Sequence, residues 1–252
     1  MVSANYHTHN RWCKHASGEI EDYVKVAVQR GLQVLAMTDH VPHKDNTDPR
    51  RIQWEEFEAY NRELDAVIEK YKGKIEIIKG FECEYYPEAL EYYRMLREQY
   101  GYRLLILGQH RSGAERQFDN FAYPKSEEAV RLYGEEVCAG LRTGMFNFLA
   151  HPDLVMQAYP GGWDALCEET MRKIFATCEE LDIPVEINAN GLFDGRAYPC
   201  KEAFRLSREY KLRYLTNSDA HDPDQVCGEI LELGERFAAE LGIELMQRLE
   251  IK

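Results

Sequence analysis

Six short motifs in this chain carry side chains that bind cations: His7-Thr8-His9, Thr38-Asp39-His40, Glu82-Cys83-Glu84, Gln109-His110-Arg111, His151-Pro152-Asp153 and Ser218-Asp219-Ala220-His221. On an extended chain residues i and i+2 point to the same side, so His7 and His9 can face one ion. Taken singly, each motif has an ordinary explanation. Asp39 suits an Asx turn, His151-Pro152 suits the start of a loop, and of Glu82 and Glu84 at least one is expected to be solvated. Their conjunction is not ordinary. Of eight histidines, six (His7, His9, His40, His110, His151 and His221) fall just after apolar runs of strand length, and His15 lies in the loop after the first. Crowded neutral imidazoles gain nothing from one another. Mixed with the carboxylates of Glu82 and Asp219, they form a nitrogen and oxygen shell that suits zinc, iron or manganese. His43 and Cys13 read as loop residues.

Such a shell exists only if the chain brings these motifs to one place, and the apolar pattern says how. Residues 2–6, 32–37, 75–81, 102–108, 146–150, 184–187 and the run from Tyr214 read as seven strands. Segments of helical spacing follow them at about 19–30, 54–71, 88–100, 126–142, 164–181, 199–210 and 225–241. Continuous apolar runs fit parallel strands covered on both faces, and alternating strand and helix units are joined by right-handed crossovers. An open sheet collects its ligands at a switch point, whereas a closed barrel collects residues from every strand at one rim. Polar candidates follow all seven runs, including Asn188-Ala189-Asn190-Gly191 after the sixth. The expectation is therefore an α/β fold, one (β/α) barrel domain over residues 1–252 with a metal site at the C-terminal rim of its strands. The long loop 112–125 reads as a lid or mobile insertion. Residues 242–252 receive no element.

Composition narrows the partners. A formal charge of -13 repels nucleic-acid backbones while leaving a small phosphate ester possible. The seven cysteines form no Cys-x-x-Cys pair, and their odd number argues against a disulfide framework. No signal-peptide pattern and no apolar run of ~20 residues is present. A cytoplasmic protein is expected, with neither membrane nor nucleic-acid polymer as partner, and nothing specifies an oligomeric state.

His7-x-His9, Thr38-Asp39-His40, Gly80-Phe81-Glu82, Gln109-His110, His151-Pro152-Asp153 and Ser218-Asp219-Ala220-His221 resemble the successive motifs of the PHP (polymerase and histidinol phosphatase) superfamily. The resemblance covers nearly the whole chain and implies a distorted seven-stranded (β/α) barrel with three divalent metal ions, zinc, iron or manganese. It implies a first ion held by His7, His9, Glu82 and Asp219. A second would be held by His110, His151 and Glu82 as a bridge, and a third by His15, His40 and His221, with Asp39 able to replace or assist His15. Within the superfamily, Asn188-Ala189-Asn190-Gly191 and Arg196-Ala197-Tyr198-Pro199 most resemble the histidinol-phosphate phosphatases, although Phe193-Asp194-Gly195 separates Leu192 from Arg196 where an Arg directly after Gly-Leu is the pattern.

The implied reaction is hydrolysis of L-histidinol phosphate, a step of histidine biosynthesis, and it assigns roles. Phosphate monoesters need an activated nucleophile and neutralised phosphoryl oxygens, which clustered dications supply. Glu82 takes part as the bridge, Arg196 is the first choice for a phosphoryl clamp, Arg111 and Arg116 stand behind it as substrate-binding residues, and the proton for the leaving alkoxide comes from a metal-bound water or from Asp153. A phosphodiesterase or nucleotide phosphatase on the same scaffold is the alternative. An amidohydrolase is disfavoured because Gln109-His110 stands where a metal-bridging Lys is expected, and a non-catalytic metal-binding module because no expected ligand is missing.

Overall fold

The computed structural model describes residues 2–45, 48–112 and 120–251. Seven parallel strands, β1 (Ala4–Asn5), β2 (Val34–Met37), β3 (Glu76–Cys83), β4 (Leu104–Leu107), β5 (Phe148–Leu149), β6 (Val185–Asn188) and β7 (Tyr214–Asn217), lie side by side in chain order. Between them run α1 (Ile20–Gln29), α2 (Phe57–Tyr71), α3 (Leu90–Tyr100), α4 (Glu127–Arg142), α5 (Ala165–Leu181), α6 (Ala189–Phe193) and α7 (Lys201–Ser207), and α8 (Glu229–Glu240) follows the last strand. Local chemistry sets their ends. Ser126 accepts from Ala129 N and Asp164 from Cys167 N to open α4 and α5, while Gly101, at φ 73, ends α3.

The barrel is distorted where β7 should meet β1. Among the described residues no ladder joins that pair; a bridge between Thr8 and Ala220, with His9 N donating to Ala220 O at 2.8 Å, closes the rim. Below it side chains replace the ladder: Asn217 Oδ1 accepts from Tyr6 N at 2.8 Å, and Asn5 Nδ2 donates to Ser218 Oγ at 2.6 Å. These buried amides satisfy backbone and side-chain groups that a short strand leaves unpaired.

Two differences from the sequence reading have plain causes. The Asn188-Ala189-Asn190-Gly191 segment is helical (α6) because Asn188 Oδ1 accepts from Gly191 N at 3.1 Å and turns the strand end into a helix cap. The unassigned tail closes the base of the barrel. Leu249 packs inside with Ala4, Tyr6, Val34, Ile78, Leu104, Phe148 and Leu215, Met246 N donates to Tyr214 O at 2.8 Å, and Leu249 N donates to Tyr6 Oη at 2.9 Å. A barrel interior must be filled, and the inward residues alone do not fill its lower end. The larger core lies between the strands and the surrounding helices. Among the described residues no helix is long and apolar enough to cross a membrane.

Candidate metal centre

The strand exits converge. His7 and His9 leave β1, His40 leaves β2, Glu82 stands at the end of β3 and Glu84 just beyond it, His110 leaves β4, His151 leaves β5, and Asp219 and His221 leave β7. His7 Nε2 lies 3.3 Å from His9 Nε2, 3.6 Å from Glu82 Oε2 and 3.4 Å from Asp219 Oδ1; His9 Nε2 lies 3.4 and 3.1 Å from those two oxygens. Four donors bound to one ion at 2.0–2.1 Å in a tetrahedron stand about 3.4 Å apart. The two imidazoles therefore stand at ligand-shell spacing from each other and from both carboxylates, all four on buried residues.

Glu82 faces two ways. Its Oε1 lies 2.9 Å from His151 Nε2 and 3.5 Å from His110 Nε2, on the side away from the His7 and His9 set. Room for it comes from Gly108, where a Cβ would stand 2.0 Å from Oε1. Two of the converging residues, His151 at φ 27 and Asp219 at φ 46, occupy left-handed backbone that non-glycine residues seldom adopt. The third set differs from expectation. His15, His40 and His221 are neighbours, with ring centroids 5.3 Å apart for His15 and His40 and 4.8 Å for His15 and His221. Their donors divide, however: His221 groups with His9 and Asp219, whereas His40, its Nδ1 2.9 Å from Glu82 Oε2, groups with Glu82 and His110. Asp39, whose carboxylate accepts from Asn10 N at 3.1 Å and from Asn10 Nδ2, groups with His9 and the buried Cys13 as possible ligands rather than with His40 and His221.

The donors present suit a divalent ion in a second respect. Three ring nitrogens turned away from the cluster have an oxygen to hold them: His7 Nδ1 meets Glu186 Oε1 at 2.9 Å, His15 Nδ1 donates to Cys13 O at 2.8 Å, and His221 Nδ1 donates to Asp219 O at 2.8 Å, whereas His9 Nδ1 and His151 Nδ1 are buried without a partner among the described residues. In those three the contact fixes the tautomer with a lone pair on Nε2. Charge agrees. Burial alone would raise the carboxyls of Glu82 and Asp219, but the surrounding histidines hold both well below the usual range. Burial, with His221 and His40 nearby, keeps His9 well below its ordinary value, and burial takes His40 to about 4, so both are neutral donors. His7 is the exception: burial would lower it, yet Asp219, Glu186 and Glu82 raise it well above its ordinary value, so the ion-free cluster keeps a proton there that metal binding must release.

A cavity of about 380 Å³ opens over the cluster. Arg196 and Arg111 line it, as expected; Arg116 lies outside the described residues. Arg196 is tied to Asp194 through Nε at 3.1 Å and Nη2 at 2.6 Å and to Tyr198 Oη through Nη1 at 2.7 Å, and Arg111 lies 3.2 Å from Asp48. Asp153 does not line the cavity and is fully buried; its Oδ2 accepts from Cys200 N while its Oδ1 has no partner among the described residues. Glu84 is a correction: it is not solvated but buried, pairs with Arg51, and its Oε1 lies 3.3 Å from His110 Nδ1.

Sequence reasoning missed Glu186, Arg50 and Arg51. Glu186 sits within β6 and accepts from His151 N at 2.9 Å, Asn188 Nδ2 at 3.1 Å and Asn217 Nδ2 at 3.0 Å besides holding His7. An acidic residue in the middle of an otherwise apolar buried strand is the signal that marks it. Arg50 and Arg51, in the charged loop after β2, line the cavity.

Comparison with known proteins places these features in context. The PHP domain family matches residues 5–190. A probable histidinol-phosphatase of Deinococcus radiodurans is 26% identical over 243 residues, covering 92% of this chain and 88% of that protein. One from Schizosaccharomyces pombe is 23% identical over 278 residues, covering 97% and 88%. Among solved structures, the histidinol phosphate phosphatase of Lactococcus lactis, complexed with zinc, L-histidinol and phosphate, superposes with a TM-score of 0.75 at 16% identity, covering 97% of this chain and 95% of that one.

Proposed function

The chain belongs to the PHP domain family, and from that premise we propose that it is a metal-dependent phosphatase, one PHP barrel over residues 1–252, that hydrolyses L-histidinol phosphate to L-histidinol and phosphate. The carrying observation is the set of ligand-like spacings of 3.1 to 3.6 Å among His7, His9, Glu82 and Asp219, with the second oxygen of Glu82 offered to His110 and His151. The names of the relatives supply the substrate. His7, His9, Glu82 and Asp219 would hold one divalent ion, Glu82, His110 and His151 a second, and His15, His40 and His221 would contribute to a third. Zinc, iron and manganese all suit these donors. Such ions, when bound, supply Lewis acidity toward phosphoryl oxygens and activation of water.

The chain's own residues do the rest. Glu186, Cys13 O and Asp219 O hold three imidazoles in the donor tautomer. Arg196, anchored by Asp194 and Tyr198, presents a positive charge at the cavity wall toward the phosphoryl group, and Arg111 does so from the opposite loop. Burial of the cluster at the bottom of the cavity keeps bulk water from screening these charges. The test is elemental analysis of the purified protein followed by phosphate release from L-histidinol phosphate, a nucleoside monophosphate and a phosphodiester. Preferred turnover of L-histidinol phosphate by metal-loaded protein is expected. Release from the diester or nucleotide alone would move the substrate assignment, and a protein that holds no divalent metal would end the proposal.

A further inference from the structure

Among the described residues, one arginine donor at the cavity wall has no partner. Arg51 is 7% exposed, lines the cavity, and has its Nη1 buried without a hydrogen-bond partner. Its other nitrogens are engaged: Nη2 donates to Glu84 Oε1, and Nε lies 3.9 Å from Asp48 Oδ2. A buried charged donor left unmet is costly, and where it persists it marks a place that a ligand completes. Arg196, by contrast, spends Nε, Nη1 and Nη2 on Asp194 and Tyr198.

The surroundings hold Arg51 in place and bias its charge. Gln53 Nε2 donates to Arg51 O at 2.9 Å and to Asp48 O at 3.3 Å, which pins the loop that carries both. Asp48 also gathers Arg50, with Nε at 3.3 Å, and Arg111, with Nη2 at 3.2 Å. Three guanidiniums thus share two carboxylates, Asp48 and Glu84, and the wall keeps an excess of positive charge opposite the histidine cluster. Glu84 in turn reaches His110 Nδ1 at 3.3 Å, so Arg51 is braced against the same residue that lines the cluster. An arginine fixed on two sides with one arm unused is set up to donate to an anionic oxygen.

We infer that Arg51 is an anion-recognising residue of this cavity, its Nη1 donating to an oxygen of the substrate's phosphoryl group, with Asp48 as the positioning residue of the surrounding arginines. This rests on the phosphatase reading above. The experiment measures binding of inorganic phosphate to the metal-loaded full chain by calorimetry, with metal content and melting temperature recorded for each protein. Arg51→Lys keeps a cation beside Glu84 but loses the second arm of the fork, and should weaken phosphate binding about tenfold or more with metal content unchanged. Asp48→Asn, which leaves Arg51 and Glu84 paired, should weaken it by a smaller factor of about three. Equal phosphate affinity in wild type and Arg51→Lys overturns the inference and leaves the phosphatase reading standing. Should Arg51→Lys fail to fold, unchanged affinity in Asp48→Asn overturns it instead. A metal-loaded wild type that binds no phosphate removes both.

Discussion

Replacing Glu186 by Gln changes no volume and removes one acceptor, which makes it a sharp probe of how the cluster is held. Oε1 serves His7 Nδ1 at 2.9 Å and Asn217 Nδ2 at 3.0 Å; Oε2 serves His151 N at 2.9 Å and Asn188 Nδ2 at 3.1 Å. A Gln amide must put its NH2 at one of these places. At Oε1 it faces two donors and forces His7 to accept on Nδ1, which moves the proton to Nε2 and removes the lone pair that faces Glu82 and Asp219. At Oε2 it strands a buried backbone N–H on His151. Either orientation leaves a buried donor unmet, at a cost of about 1–3 kcal/mol. A chain of this size loses roughly 2–4 °C in Tm per kcal/mol, and loss of such an outer partner lowers metal affinity about 10–100-fold. Competition with a chromogenic chelator measures the affinity, and melting of the stripped protein measures the stability. A Glu186→Gln protein with a lowered Tm and wild-type metal affinity would refute the tautomer reasoning; one unchanged in both would refute the whole account of this residue.

Three further outcomes are expected. Glu82→Gln should empty two ion sites together, because one carboxylate presents Oε2 to His7 and His9 and Oε1 to His110 and His151; elemental analysis that finds a full complement would disprove the bridge. Leu249→Ala should cost about 2–4 kcal/mol by opening a void at the base of the barrel, read as a lower denaturant midpoint with metal content preserved. Asp48 is partly buried, which would raise its carboxyl, but Arg50 and Arg51 hold it down at about 2. A depressed acid contributes stability above its unfolded pKa and loses it as pH falls through the folded value. Asp48→Asn should therefore cost about 1–2 kcal/mol at pH 7, with the difference from wild type vanishing between about pH 4 and 2; a difference constant with pH would contradict the pairing.

Much of this was legible in the chain because the barrel couples two signals. An apolar run of strand length followed at once by His, Asp or Glu says both where the strand ends and what stands at the rim, so all seven strands and the residues His7, His9, His40, Glu82, His110, His151, Asp219 and His221 could be placed together. What escaped has other causes. Glu186 lies inside a strand, where one acid among apolar residues carries no periodicity. Arg51 belongs to a loop whose path is set by Asp48 and Gln53 rather than by any repeating pattern. Asp153 shows that adjacency to His151 in sequence does not fix direction: the backbone turn at His151 sends the two side chains to different environments. The tail was unreadable because its partners, Tyr6 and Tyr214, belong to the first and last strands and are not marked by any pattern in the tail itself.

The same features that identify the site make it expensive for the bare chain to hold. His151 and Asp219 keep a backbone conformation that costs of order 1–3 kcal/mol each. Glu82 and Asp219 stay charged while buried, and His9 and His40 give up their solvation without gaining charge. None of these improves the packing of the barrel, whose core lies between strands and helices and at the plugged base. A fold selected for stability alone would place apolar side chains at those positions, as buried ionic clusters replaced by hydrocarbon are often neutral or better. What offsets the cost is a ligand that binds the folded rim and not the unfolded chain, and the donors there, imidazole nitrogens alternating with carboxylate oxygens at ligand spacing, specify a divalent cation.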